Sequence, residues 1–138
     1  MRISRSAAVV LTAVLGLTGC AALTGGLELY GKPVTLDQLT GTWTGDCDST
    51  LVLGPGQAIT VKDFPAAEED LKITTRFSGT GSWEFEAVLQ GETPTSLHVA
   101  VGTHRGVVDL AKSSHGELVL AVTVGDPDEG VGCRYTHS

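Results

Sequence analysis

From Thr40 onward, apolar side chains recur at every second position in short runs, and glycine- and proline-rich turns separate the runs. The alternation is clearest in Leu51/Leu53, Ile59/Val61, Trp83/Phe85/Ala87, Leu97/Val99/Val101 and Leu118/Leu120/Val122/Val124. A period of two is that of a strand with one face on a core and the other in water. It predicts strands near 41–47, 49–53, 57–62, 72–78, 80–89, 96–102, 106–111, 117–124 and 131–137, with turns at 54–56, 113–116 and 125–130. No run keeps the 3.6-residue period of a sizeable amphipathic helix. Two single helical turns are expected. Thr35-Leu36-Asp37-Gln38 has the spacing of a capping box, and 65–71, where Glu68, Glu69 and Asp70 follow Pro65, reads as a short helical plug or lid.

Eight or nine short strands in hairpin succession, without a long crossover, point to an all-β fold. The expected form is an up-and-down antiparallel barrel of about eight strands, which closes its own edges; a β-sandwich is the alternative. The inward set is then Leu51, Leu53, Ile59, Val61, Trp83, Phe85, Leu97, Val99, Leu118, Leu120 and Val122. Such a set either fills the barrel or lines a pocket for one small apolar ligand.

The N-terminus follows a different pattern. Arg2 and Arg5 precede an apolar run from Ala7 to Leu17, and Leu17-Thr18-Gly19-Cys20 resembles the lipobox at which bacterial lipoprotein precursors are cut and acylated. The run is shorter than the ~20 residues a transmembrane helix needs. The expected organisation is a signal peptide at 1–19, a lipidated tether at 20–34 bearing palmitate-type chains on Cys20, and a β-domain at 35–138. The mature protein would be held at the extracytoplasmic face of a cell membrane by lipid alone, each buried methylene contributing about 0.8 kcal/mol. With Cys20 acylated, Cys47 and Cys133 remain, and an exported protein most simply joins them; two free buried thiols are the alternative. A bridge across 86 positions stabilises by roughly 4 to 5 kcal/mol in the chain-entropy model. It would also tie the first barrel strand to the last.

Gly41-Thr42-Trp43, after the short helical turn, resembles the Gly-x-Trp signature of lipocalins and related calycin barrels, so Gly41 and Trp43 are its barrel-signature residues. Together with Thr44-Gly45, Leu51-Val52-Leu53, Gly79-Thr80-Gly81-Ser82-Trp83 and the segment 125–130, it is similar to small lipoproteins of actinobacteria. The resemblance spans most of residues 38–137 and implies a calycin-like barrel, with no particular activity attached. It also implies two roles to weigh. Some calycin barrels that begin Gly-x-Trp-x-Gly hold haem through a histidine, but His98 falls on the outward face of its strand. Lipocalins often lay an arginine of the last strand over the signature indole, for which Arg134 is the candidate. Parity argues otherwise: if Cys47 faces Cys133 in an antiparallel pair, Trp43 falls opposite His137 and Gly45 opposite Tyr135, which turns Arg134 away.

Charge and candidate chemistry narrow the function classes. The chain has 9 basic and 16 acidic residues, and loss of Arg2 and Arg5 with the signal peptide makes it more acidic still. Scattered basic residues on an acidic domain disfavour nucleic acid as a partner. His98, His104, His115 and His137 lack the pairing of a zinc site, so no metal or other cofactor is expected. Asp126, Asp128 and Glu129 around Pro127 read as an acidic turn in preference to a calcium loop. Glu84 and Glu86 fall on an outer strand face, there is no Gly-x-Ser-x-Gly elbow, and no enzyme is expected. Two functions remain: a lipid-anchored barrel that binds a small apolar molecule, or an interaction or inhibitor module working through loops on a disulfide-stapled scaffold. The expected partners are the membrane through Cys20, and either that ligand or an extracytoplasmic protein.

Overall fold

The computed structural model describes residues 27–138; the signal sequence and Cys20 lie outside them. Nine strands are formed: β1 (Glu28–Leu29), β2 (Gly41–Gly45), β3 (Thr50–Leu53), β4 (Ala58–Glu69), β5 (Lys72–Phe85), β6 (Ser96–Val101), β7 (His104–Lys112), β8 (Leu118–Thr123) and β9 (Gly132–His137). One helical turn, α1 (Leu36–Leu39), precedes β2. Strands β2 to β9 follow one another around a wall in chain order, every pair antiparallel, and β9 pairs back onto β2. The result is a closed eight-stranded up-and-down barrel with β1 added against β7, so a sandwich is ruled out.

The register of the closing pair is Trp43 with His137 and Gly45 with Tyr135, as strand parity requires. The Trp43 and His137 rings meet edge to face at 4.7 Å, and Arg134 is exposed on the outer wall opposite Ala121. The inward residues of all eight strands form one buried cluster that includes Trp43, Leu51, Leu53, Trp83, Leu97, Leu120 and Tyr135. Burial of each such side chain contributes about 1.5 to 3 kcal/mol.

The two ends of the barrel are closed by different means. At the base lie the start of β2, the 54–57 turn, the 86–95 loop and the 113–117 turn. The capping box forms there as the sequence predicts: Gln38 N–H donates to Thr35 Oγ1 at 3.2 Å, and Thr35 N–H to Gln38 Oε1 at 2.8 Å. It sets α1 so that Leu39 is fully buried and its carbonyl accepts the Trp43 indole N–H at 2.8 Å. Leu27 is buried, Tyr30 and Val34 pack on the core, and Tyr30 N–H donates to the Leu110 carbonyl at 2.9 Å, so the chain joins the wall well before the capping box.

At the opposite end the expected helical lid at 65–71 is instead strand. β4 continues to Glu69, turns at Asp70-Leu71, and returns as β5, which also merges the two strands predicted at 72–78 and 80–89. Beyond Lys62, β4 has no β3 partner, so Pro65 lies on a free edge where its missing N–H costs no ladder bond. Register shifts between Val61 and Phe64, Pro65 and Ala67, and Ala67 and Glu68 bend this hairpin. We call 63–78 the arm. It brings Phe64 into the core cluster, 2% exposed, and so closes the second mouth.

Candidate functional site

The arm end is assembled from segments far apart in the chain. Its rim is fixed by the Cys47–Cys133 disulfide, the bridge the cysteine pattern predicts, with the Cα atoms 5.3 Å apart. Cys47 sits in the turn after β2, not within the strand. Asp46 holds β9 twice: its N–H donates to the Arg134 carbonyl and its Oδ1 accepts the Arg134 N–H, both at 2.9 Å. Beneath the bridge, Gly45 has no room for a side chain, since a Cβ would sit 2.8 Å from the Tyr135 ring and 2.9 Å from the Ser49 carbonyl. Tyr135 and Ser49 share a hydrogen bond of 2.7 Å, and Ser49 Oγ donates to the Lys62 carbonyl at 3.0 Å, which joins β9 and β4 across the rim. Burial pushes the Tyr135 hydroxyl up to about 12, against a smaller opposing effect of the Ser49 bond.

The arm folds onto this rim through aromatic contacts. Phe64 and Phe77 lie 4.9 Å apart, and Phe77 stacks on His104 at 4.5 Å with the rings nearly parallel. Asp63 N–H donates to Ser78 Oγ at 2.9 Å and Arg76 Nη1 to the Asp63 carbonyl at 3.0 Å, stiffening the bulge. At the tip, Asp70 and Leu71 both take left-handed backbone, φ 51° and 63°, as a two-residue hairpin loop demands. Asp tolerates that conformation; Leu does not, and the strain is of order 1 to 2 kcal/mol. Leu71 is also 62% exposed, an apolar side chain presented to solvent next to Glu68, Glu69 and Asp70.

The 125–130 turn lies against the arm. Gly125 faces the Glu68 side chain, and Asp126 Oδ1 accepts the Asp128 N–H at 2.9 Å, so this carboxylate caps its own turn. A hydrogen bond to Glu68, then the negative charges of Glu68 and Asp126, hold the Glu129 carboxyl above its usual value. Between the arm tip and this turn is a shallow concavity of about 420 Å³ bordered by Leu71, Ile73, Arg76 and Glu129 to Gly132.

Inside the barrel, nine of the eleven predicted pocket residues are buried, with Phe85 and Leu118 packed at the cluster's margin. Trp83 is 2% exposed and meets Phe85 edge to face at 5.5 Å, yet its indole Nε1 has no hydrogen-bond partner. A buried donor left so costs about 1 to 3 kcal/mol. His98 is exposed on the outer wall opposite Glu84. Glu86, on the 86–95 loop, accepts from Thr95 N–H at 2.6 Å, Thr95 Oγ1 at 2.7 Å and Ser96 Oγ at 3.0 Å; the Thr95 bonds hold its carboxyl below the usual range. Burial, reinforced by Glu86, raises that of Asp109.

Two features were missed in the strand pattern. The outer face of β8 is buried as well as the inner, with Val119 and Ala121 packed against Leu27 and Ala111. The unbroken apolar run 118–122 is the signal of a strand covered on both faces. The arm residues Phe64, Ile73 and Phe77 also escaped: the bulge after Val61 shifts Phe64 out of the period of Ile59 and Val61, and Gly79 and Gly81 leave gaps between Ile73 and Phe77 and the next large side chain on their face, Trp83.

No protein-family model matches this chain, and neither the curated proteins nor the solved structures contain a match to it.

Proposed function

We propose that this protein is a lipid-anchored extracytoplasmic lipoprotein with a calycin-like barrel that engages a partner protein through its arm end. The lipobox-like Leu17-Cys20 stretch supports the anchor, and one observation carries the binding reading. Leu71 is exposed and strained at the tip of the arm, with Glu68, Glu69 and Asp70 before it and Lys72 after it. Folding alone favours neither property at that position, whereas an apolar contact at the centre of a polar ring is the usual anatomy of an interface hot spot. The same end carries Asp46, Asp48, Asp63, Asp126, Asp128 and Glu129 against Lys62, Lys72, Arg76 and Arg105, so its balance is acidic and the partner surface is on balance basic, with an apolar hollow. Its test is cross-linking in the native host with wild type and Leu71→Gly. The glycine relieves the strain and leaves the fold intact, so capture should fall at least tenfold. Equal capture of one partner by both proteins, or by a charge-reversed 126–129 turn, overturns the reading.

A second reading is favoured by the unpartnered Trp83 indole, which offers a hydrogen bond to the oxygen of a small, otherwise apolar ligand inside the barrel. Native mass spectrometry of the protein purified from its host decides this one: a reproducible added mass that is lost in Trp83→Phe supports it, and a clean mass of the protein alone overturns it.

A further inference from the structure

The base of the barrel displays three exposed apolar side chains. Leu89 is 75% exposed in the 86–95 loop, Leu36 57% exposed on α1, and Val88 38% exposed beside Leu89. All three belong to elements that the topology places at the base. The chain also enters the fold there: β1 pairs antiparallel with β7, Glu28 opposite Lys112, so the residues before it run toward the 113–117 turn. The pair is fastened by a Lys112–Glu28 ion pair at 3.1 Å. Only residues 21–26 separate the described fold from Cys20, and the seven Cα-to-Cα steps from Cys20 to Leu27 reach at most about 24 Å. β5 alone runs 14 residues, or about 45 Å of strand. The anchor therefore tethers the base far more closely than the arm tip.

We infer that the base is a membrane-docking surface, with Leu36, Val88 and Leu89 dipping into the bilayer that holds Cys20, and the arm end directed away from it. The inference rests on the lipoprotein reading. The lipid on Cys20 holds the chain at the bilayer but leaves the domain free to turn about its leash, and apolar side chains inserted at the point of attachment add to the anchor and fix the orientation of the domain. The partner is the lipid surface itself, and contact is apolar, since Lys32 and Lys112 are the only lysines or arginines at that end among the described residues and Glu28, Asp37, Glu86, Glu92 and Glu117 share it.

The test uses the full lipidated protein in phosphatidylcholine vesicles whose acyl chains carry bromine, a quencher of indole fluorescence. Leu89→Trp and Leu36→Trp report on the base and Leu71→Trp on the arm tip; Trp43 and Trp83, both buried, form a constant background measured on wild type. Quenching at 89 and 36 at least threefold that at 71 is expected. Equal quenching at the three sites, or stronger quenching at 71, in a protein whose intact mass shows acylated Cys20 overturns the orientation and leaves the anchor standing. A mature mass without acyl chains overturns both.

Discussion

The base and the arm end of this barrel solve the same problem, closing a mouth, by opposite routes. At the base the work is local: the capping box, Leu39 and Trp43 lie within nine consecutive positions, and the Trp43 indole bonds a carbonyl four residues back. At the arm end the closing groups come from positions 46 to 135 and meet only once the barrel has formed. A locally encoded plug can form early and tolerate a loosened barrel. A plug made of distant segments depends on every element that brings them together, and this is the end where the exposed, strained leucine is displayed.

Removing the bridge should show the difference most strongly. Cys47→Ala with Cys133→Ala is expected to cost about 4 kcal/mol in urea unfolding, near the chain-entropy value for 86 residues. Amide exchange should rise at 45–50 and 131–135 while the amides of α1 keep their relative protection. Uniform loss at both ends would show that the bridge stabilises the barrel as a whole and would remove the contrast.

Leu39→Ala is the reciprocal experiment. Truncating a fully buried leucine costs about 3 kcal/mol, depending on how far the site collapses. The arm's exchange rates should change no more than global stability requires. Faster opening of the arm in that variant would mean that the base governs the far end through the core.

These two ends also differ in how legible they are in the sequence, for the same physical reason. The capping box and the alternation of the strand cores depend on neighbours within a few positions, and both are found where the pattern puts them. Parity carried the closing register through to Trp43 opposite His137, because a period of two leaves no freedom once one pair is set. Residues 65–71 read as a helical turn because Pro65 and three successive acids imitate a helix start, while the free edge that lets Pro65 sit in a strand exists only in three dimensions. The exposed Leu71 was likewise invisible, since nothing local marks a leucine as the second residue of a two-residue turn.

Tyr135 gives a pH-dependent probe of the rim. Its folded value, raised to about 12 from 10, means that stability is fully present below pH 10 and is lost as pH rises through 12. Two units correspond to roughly 2 to 3 kcal/mol. Unfolding free energy should therefore fall over that window, and Tyr135→Phe should flatten the fall while costing about 1 kcal/mol at neutral pH through the lost Ser49 bond. An unchanged alkaline slope in the variant would assign it to other groups and leave the rim relay without a measurable part in stability.

The smallest effect is expected where the arm meets the 125–130 turn. Glu129 is held above its ordinary value by the hydrogen bond to Glu68 and by the charges of Glu68 and Asp126, so its protonated form favours the contact with the arm, which weakens as pH rises through the raised value. Amides of 63–71 should then exchange faster, relative to those of α1, above the carboxylate range than within it, after correction for the intrinsic pH dependence of exchange. Glu129→Gln keeps a donor for Glu68 and carries no charge, so it should hold the arm at its low-pH protection throughout. The side chains are exposed and salt screens them, which predicts that added salt shrinks the wild-type difference and leaves the variant unmoved. A pH dependence that survives in Glu129→Gln would move the arm's sensitivity to another group, and the turn would then be a neighbour of the arm without control over it.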